Sequence, residues 1–212
     1  MLTNKTKAQT KAGKTYQLIL DAAAKLFSKQ GYHGTSLKEI ASNVGMQAGS
    51  LYYHFESKEV LMQEVLDKSI QLIYSTVQSE VAKLDKQAGF AELLTAAIHG
   101  HLIAILSYSD YTLASIRNYG QIPAAVHKAS QFARDDYEQF WRGFIQQAER
   151  TGAIREGVDG HLLRLSVFGA MNWASVWFDS KENNAADVEK IAKFQANIFL
   201  NGCLPEGEKY GI

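Results

Sequence analysis

The sequence predicts an all-α protein, with an N-terminal three-helix unit that carries a helix-turn-helix and a larger helical body behind it. Three observations support this. Apolar residues recur at spacings of three and four through most of the 212 residues, which is the helical period and not strand alternation. Only two prolines, Pro123 and Pro205, interrupt the chain. Short polar or glycine-bearing stretches divide it at helix-length intervals, with no convincing strand, internal repeat or low-complexity block.

Residues 1 to 13, with Lys5, Lys7 and Lys11 among Thr, Asn and Gln, read as a basic arm ending at Gly13. From Lys14 to Gln30, Tyr16, Ile19, Leu20, Ala23, Ala24 and Phe27 form one helical stripe, and Gly31 stands where a C-cap belongs. A second helix spans about Ser36 to Val44, with Ser36 and Glu39 placed for a capping box and Leu37, Ile40, Ala41 and Val44 inward. Gly45 ends it. A third, short helix covers about Ala48 to Phe55, burying Leu51 and Phe55. Ser57 caps a long fourth helix, and Glu59 sits near its positive end. Further helices are expected at about 89–107, 110–118, 122–150, 159–179 and 185–201.

Net charge is zero but unevenly spread. Residues 1–57 hold seven lysines against three acids (Asp21, Glu39 and Glu56), so the remainder is acidic on balance. A basic front on an acidic body suits a front that meets a polyanion, although charge alone fits a soluble terminus equally well. No run of about 18 apolar residues suggests a membrane span, and the lysine-rich start has no apolar stretch of a signal peptide. One cysteine, Cys203, allows neither an internal disulfide nor a metal cluster, which fits a reducing cytoplasm. His99 and His101 lie two apart on a helix and make a poor metal pair. His-Glu zinc motifs, glycine-rich phosphate loops and nucleophile elbows are missing. No catalytic residue, metal or cofactor is therefore expected. A helical enzyme or a lipid-surface protein is the weaker alternative, because the 14–30 helix is too mildly basic to bind membranes.

With Leu51 and Phe55 inward, the third helix directs Gln47, Ala48, Ser50, Tyr53 and His54 outward, with Tyr52 near the boundary. This helix holds no acid before Glu56, so this face would enter a major groove without repelling phosphates. The segment G-T-S-L-K-E-I-A-S-N-V-G-M-Q-A-G-S-L-Y-Y-H-F-E-S-K-E-V-L, Gly34 to Leu61, resembles the reader of the tetracycline-repressor (TetR) family, and Ala22 to Tyr32 resembles that family's first helix. The resemblance implies a DNA-binding domain at 1–56 and an effector-binding, dimerising body at 57–212. It implies that Lys38 reaches the groove edge, that Ala48, Gly49 and Ser50 lie nearest the bases, and that Gln47 begins the reading helix. Tyr52, Tyr53 and His54 would meet phosphates or a thymine methyl, and Ser36 and Lys58 would hold backbone phosphates.

The resemblance further implies a cytoplasmic transcriptional repressor that acts as a homodimer on a palindromic double-stranded operator. Its dimer interface would come from the last two helices, where Gly169, Ala170, Ala174, Val188, Ile191, Phe194, Ile198 and Phe199 also fit packing within one chain. For the effector, the sequence offers Trp141, Phe144, Phe168, Trp173 and Trp177, with Asn172, Arg117 and Asn118 as polar groups. The stretches S-I-R-N-Y-G-Q-I-P and F-G-A-M-N-W-A-S-V-W-F are similar to a TetR subgroup that senses acyl-coenzyme A thioesters. That similarity implies a small hydrophobic effector such as a fatty-acyl coenzyme A. The alternative is an aromatic or cationic drug, sensed by a regulator of drug efflux.

Overall fold

The amphipathic stripe of the first helix finds its partners directly. In the computed structural model, which describes residues 11–106, 109–179, 184–207 and 210, α1 (Lys11–Gly34) buries Ile19, Leu20, Ala23, Ala24 and Phe27. Gly31 breaks it with φ 79° and ψ 170°, a conformation that side chains with a Cβ rarely adopt. Helical geometry resumes as far as Gly34. Of the basic arm, Lys5 and Lys7 lie outside the described residues.

The next helix, α2 (Leu37–Asn43), is capped as the sequence suggests, since Ser36 Oγ accepts the Glu39 N–H at 3.2 Å. The Glu39 carboxylate accepts instead from Gln30 Nε2 at 2.8 Å, which ties this cap to α1. The expected third helix is shorter than its period suggested. Here α3 (Ala48–Leu51) gives way to turns, and the His54 and Phe55 N–H groups both bond the Leu51 carbonyl. Phe55 is still buried, stacked on Tyr16 at 4.7 Å. Ser57 Oγ accepts the Val60 N–H at the start of α4 (Lys58–Val81).

The body continues with α5 (Phe90–Leu106), α6 (Asp110–Asn118), α7 (Ala124–Ala129), α8 (Gln131–Arg150), α9 (Gly160–Trp177) and α10 (Ala185–Cys203). The ten helices are joined by no strand among the described residues. The single helix expected at 122–150 is in fact two. Ser130, nearly fully buried at φ −82° and ψ 1°, turns the chain between α7 and α8, and its Oγ bonds the His127 carbonyl.

By packing, the chain divides into two units. The first comprises residues up to Ser69 together with Asp110–Phe132, and the second Ile70–Ser109 with Ala133 onward. In the first, α1 lies along α6 and joins α2 and α3 around Ile40, Leu51 and Phe55. In the second, α5 is the central helix and packs against α9 and α10. It is buried on most sides, with Leu94, Ala97, Ile98, Leu102 and Ile105 inward. Gly100 brings α5 close to α4, where a Cβ would fall 2.7 Å from Val77 Cα. Cys203 is buried at the end of α10, and burial pushes its thiol up to about 11. No single helix among the described residues is long and apolar enough to cross a membrane.

Candidate nucleic-acid interface and effector region

The turn between α2 and α3 is set by Gly45 at φ 69°, with the Met46 N–H returning to the Ala41 carbonyl at 2.8 Å. That turn starts α3 at Gln47, whose carbonyl takes the Ser50 N–H. Leu51 and Phe55 anchor the segment from below. What remains outside is Tyr53, 91% exposed, with Tyr52, Gln47 and Gly49 also exposed and Ala48, Ser50 and His54 half-buried. On α2, Ser36 and Lys38 are exposed and border one shallow depression with Glu39, Ser42 and Asn43, where the Glu39 carboxylate is turned to Gln30. A projecting phenol among small and amide side chains, with its nearest following acid at Glu56, can donate hydrogen bonds to phosphates without charge repulsion.

Lys58 is engaged differently. Its Nζ donates to the carbonyls of Tyr32 (2.9 Å) and Thr35 (3.1 Å) and lies 4.2 Å above the Tyr32 ring. The Tyr32 hydroxyl in turn donates to Glu59 Oε1 at 2.7 Å. Burial first, then this bond, raises the Tyr32 phenol, while the hydroxyl holds the Glu59 carboxyl below its usual range. Lys58 thus clamps the start of α4 to the chain leaving α1.

The effector residues suggested by the sequence fall into three groups. Trp141, Phe144 and Phe168 come together in the second unit. Trp141 is fully buried with its ring 5.2 Å from Phe168 and 6.2 Å from Phe144, and Tyr137 and Phe140 stand beside it. His101, which the sequence offers only as half of a poor metal pair, lies fully inside this cluster. Its Nδ1 is 2.8 Å from the Tyr137 hydroxyl and its Nε2 3.2 Å from Asn172 Oδ1. Because the Asn172 oxygen only accepts, Nε2 carries the proton and Nδ1 accepts from Tyr137. Burial pushes His101 down to about 4, so the imidazole is neutral near pH 7.

Trp173 and Trp177 form the second group and point outward, 64% and 53% exposed, on a face of α9 shared with Leu162, Leu165 and Val176. They do not line the buried cluster. On α10, Phe194 and Ile198 are likewise exposed. Arg117 and Asn118 are the third group, and both are committed within the first unit. Arg117 Nη1 donates to the Ser28 carbonyl at 3.3 Å. Asn118, fully buried, accepts the Tyr32 N–H and donates to the carbonyls of Phe27 (3.1 Å) and Ala114 (2.7 Å). It satisfies the polar groups around the break at Gly31. Its partners on α1 lie about ninety residues upstream, so no local signal in the sequence reveals this role.

Comparison with known proteins adds the following. Residues 19–65 match the family described as "Bacterial regulatory proteins, tetR family", and residues 87–203 match "Tetracyclin repressor-like, C-terminal domain". The chain is 28% identical over 200 residues to the HTH-type transcriptional repressor KstR2 of Rhodococcus jostii (strain RHA1), covering 91% of this chain and 92% of that protein. Among solved structures, AibR in complex with isovaleryl coenzyme A and operator DNA is similar at a TM-score of 0.74 and 26% identity, over 86% of this chain and 96% of that one. The regulator FadR from Bacillus subtilis, in complex with stearoyl-CoA, shares the fold at a TM-score of 0.74 and 19% identity, over 88% and 98%.

Proposed function

This chain belongs to the bacterial tetR family of regulatory proteins, and from that premise we propose that it binds a palindromic operator as a homodimer and is released by a small hydrophobic effector, an acyl-coenzyme A thioester. It is a DNA-binding transcriptional repressor and not an enzyme. We assign the reader to residues 1–56 and effector binding and dimerisation to 57–212. The observation that carries the reading is the outer face of α3, with Tyr53 almost wholly exposed above the buried Leu51 and Phe55. In the proposed complex Lys38, Gln47, Ala48, Gly49 and Ser50 face base edges, while Ser36, Tyr52, Tyr53 and His54 take the flanking phosphates. Lys58 contributes by fixing α4 and adds positive charge near the backbone.

The exposed apolar stripes of α9 and α10 support a twofold interface, because patches of that character on an otherwise polar surface mark association sites. Such a dimer would present two α3 segments about 34–36 Å apart, one turn of duplex DNA. Effector binding in the second unit would shift the second half of α4, and the unbroken helix carries the shift to its first half. To empty the operator, the effector must favour the released form by several kcal/mol. AibR's binding of isovaleryl coenzyme A supports a thioester ligand; that complex holds operator DNA as well, so release is read directly in the anisotropy titration below.

The test is fluorescence anisotropy at fixed salt with duplexes from upstream of the chain's own gene. Saturable binding to one palindrome, reversed by isovaleryl or longer acyl-coenzyme A, is expected. Binding to no duplex even at low salt removes the DNA reading. Release by aromatic cations but not thioesters replaces the effector class with drugs.

A further inference from the structure

Between the second half of α8 and the first turn of α9 lies a cavity of about 740 Å³, lined by Arg142, Gln146, Glu149, His161 and Arg164, with Ile145 and Val158 on its apolar side. That volume lies within the range of small-molecule sites. Arg164 sets it apart. The residue is only 8% exposed, yet among the described residues its guanidinium has one hydrogen-bond contact, to His161 Nδ1 at 3.4 Å. Two carboxylates also line the cavity, and neither forms an ion pair with Arg164 among the described residues. Glu149 Oε1 accepts the Gly160 N–H at 3.2 Å, and Asp159 Oδ1 caps α9 through the Leu162 N–H at 3.0 Å. Arg142 is exposed and paired with Glu138 at 3.6 Å, a distance at which a better acceptor displaces the partner with little loss.

A guanidinium does not give up its proton in a protein, and a buried charge without a counter-charge is costly. An arginine held this deep beside an open cavity is suited to an anion. We propose that the cavity is an anion site for the phosphate groups of an amphiphilic effector, with the Arg164 guanidinium as its floor and Arg142 as its outer arm. Two guanidinium groups on separate helices offer more donors than one carboxylate accepts, and they suit a phosphate or pyrophosphate. The apolar part of the lining is Ile145 and Val158, so the cavity itself takes the anionic head group. This inference rests on the effector reading above, in which the phosphates are those of coenzyme A.

Isothermal titration of the full-length protein with free coenzyme A, inorganic pyrophosphate and hexanoate tests the site. Coenzyme A and pyrophosphate are expected to bind, hexanoate not. Both affinities should fall at least tenfold in Arg164→Gln and in Arg142→Gln; the second substitution is at an exposed position and keeps the test valid if the first disturbs folding. Wild type that binds neither phosphate compound, Arg142→Gln that binds both as wild type does, or hexanoate binding in their place overturns the proposal. Operator release by hexanoyl-coenzyme A, measured alongside, separates the two readings. Release that persists unchanged in the arginine variants keeps the effector and removes this site. Arginine-dependent phosphate binding without release keeps the site and removes the effector.

Discussion

In the first unit, Tyr52 and Tyr53 project from the end of α3 beside Gln47, Gly49 and the nearby Lys38; in the second, Trp173, Trp177, Phe194 and Ile198 project from α9 and α10 beside Leu162, Leu165 and Val176. Both surfaces expose large rings, but their neighbours differ. Phenols among amides and a lysine keep every polar group able to meet a polyanion. Indoles and a phenyl ring beside aliphatic side chains, rimmed by Asp187, Glu189, Lys190 and Lys193, offer an apolar centre with a charged edge, which suits another apolar helix. The interiors differ in parallel. In the first unit, buried Asn118 is satisfied by backbone groups around the break in α1. In the second, buried His101 is satisfied by side chains inside an aromatic cluster. Exposed aromatic residues thus acquire meaning from what surrounds them.

Four measurements test this contrast. The largest effect is expected at the apolar surface. Phe194→Glu combined with Ile198→Glu should convert the proposed dimer to monomer by light scattering and reduce operator affinity at least ~100-fold, as losing the centre of an interface does. A variant that remains dimeric would show that the stripe serves another purpose.

Next comes the interior of the second unit. The unfolded chain takes a proton on His101 near pH 6.5, whereas the folded one resists it until about 4. Stability from this group is therefore complete above pH 6.5 and lost as pH falls towards 4, on the order of 3 kcal/mol in all. Urea melts at pH 7 and 5 should show a slope that His101→Gln flattens; an equal slope in the variant would place the acid sensitivity elsewhere. Asn118→Ala should cost about 2 kcal/mol in the same melts by leaving buried backbone groups unpaired. Smallest is Tyr53→Ala, expected to weaken operator binding about tenfold, near 1.4 kcal/mol, without changing dimer mass or melting. Unchanged binding would remove that phenol from the interface.

Much of the fold was legible because its signals are local. Gly31 and Gly45 marked positive-φ breaks, and Ser36 and Ser57 marked helix starts, each a matter of a few adjacent residues. Where the decisive partner is distant, the sequence was silent. Asn118 read as a ligand group because nothing near it names Phe27 or Tyr32. Lys58 read as a phosphate contact because the carbonyls that hold it belong to the chain leaving α1. The division at Ser130 passed unseen, since the apolar period continues across it without glycine or proline. Trp173 and Trp177, offered by the sequence as effector residues, are exposed, because periodicity identifies an apolar face but not what covers it. Arg164 carried no motif at all, and only its burial distinguishes it from a surface arginine.

The lone cysteine has a practical consequence. With its thiol shielded at the end of α10 and held protonated well above neutral pH, Cys203 should react slowly with maleimide dyes. A Tyr53→Cys chain would then carry one fast-reacting thiol at the projecting tip of α3. A fluorophore attached there would report groove entry and withdrawal in real time, without removing the native cysteine.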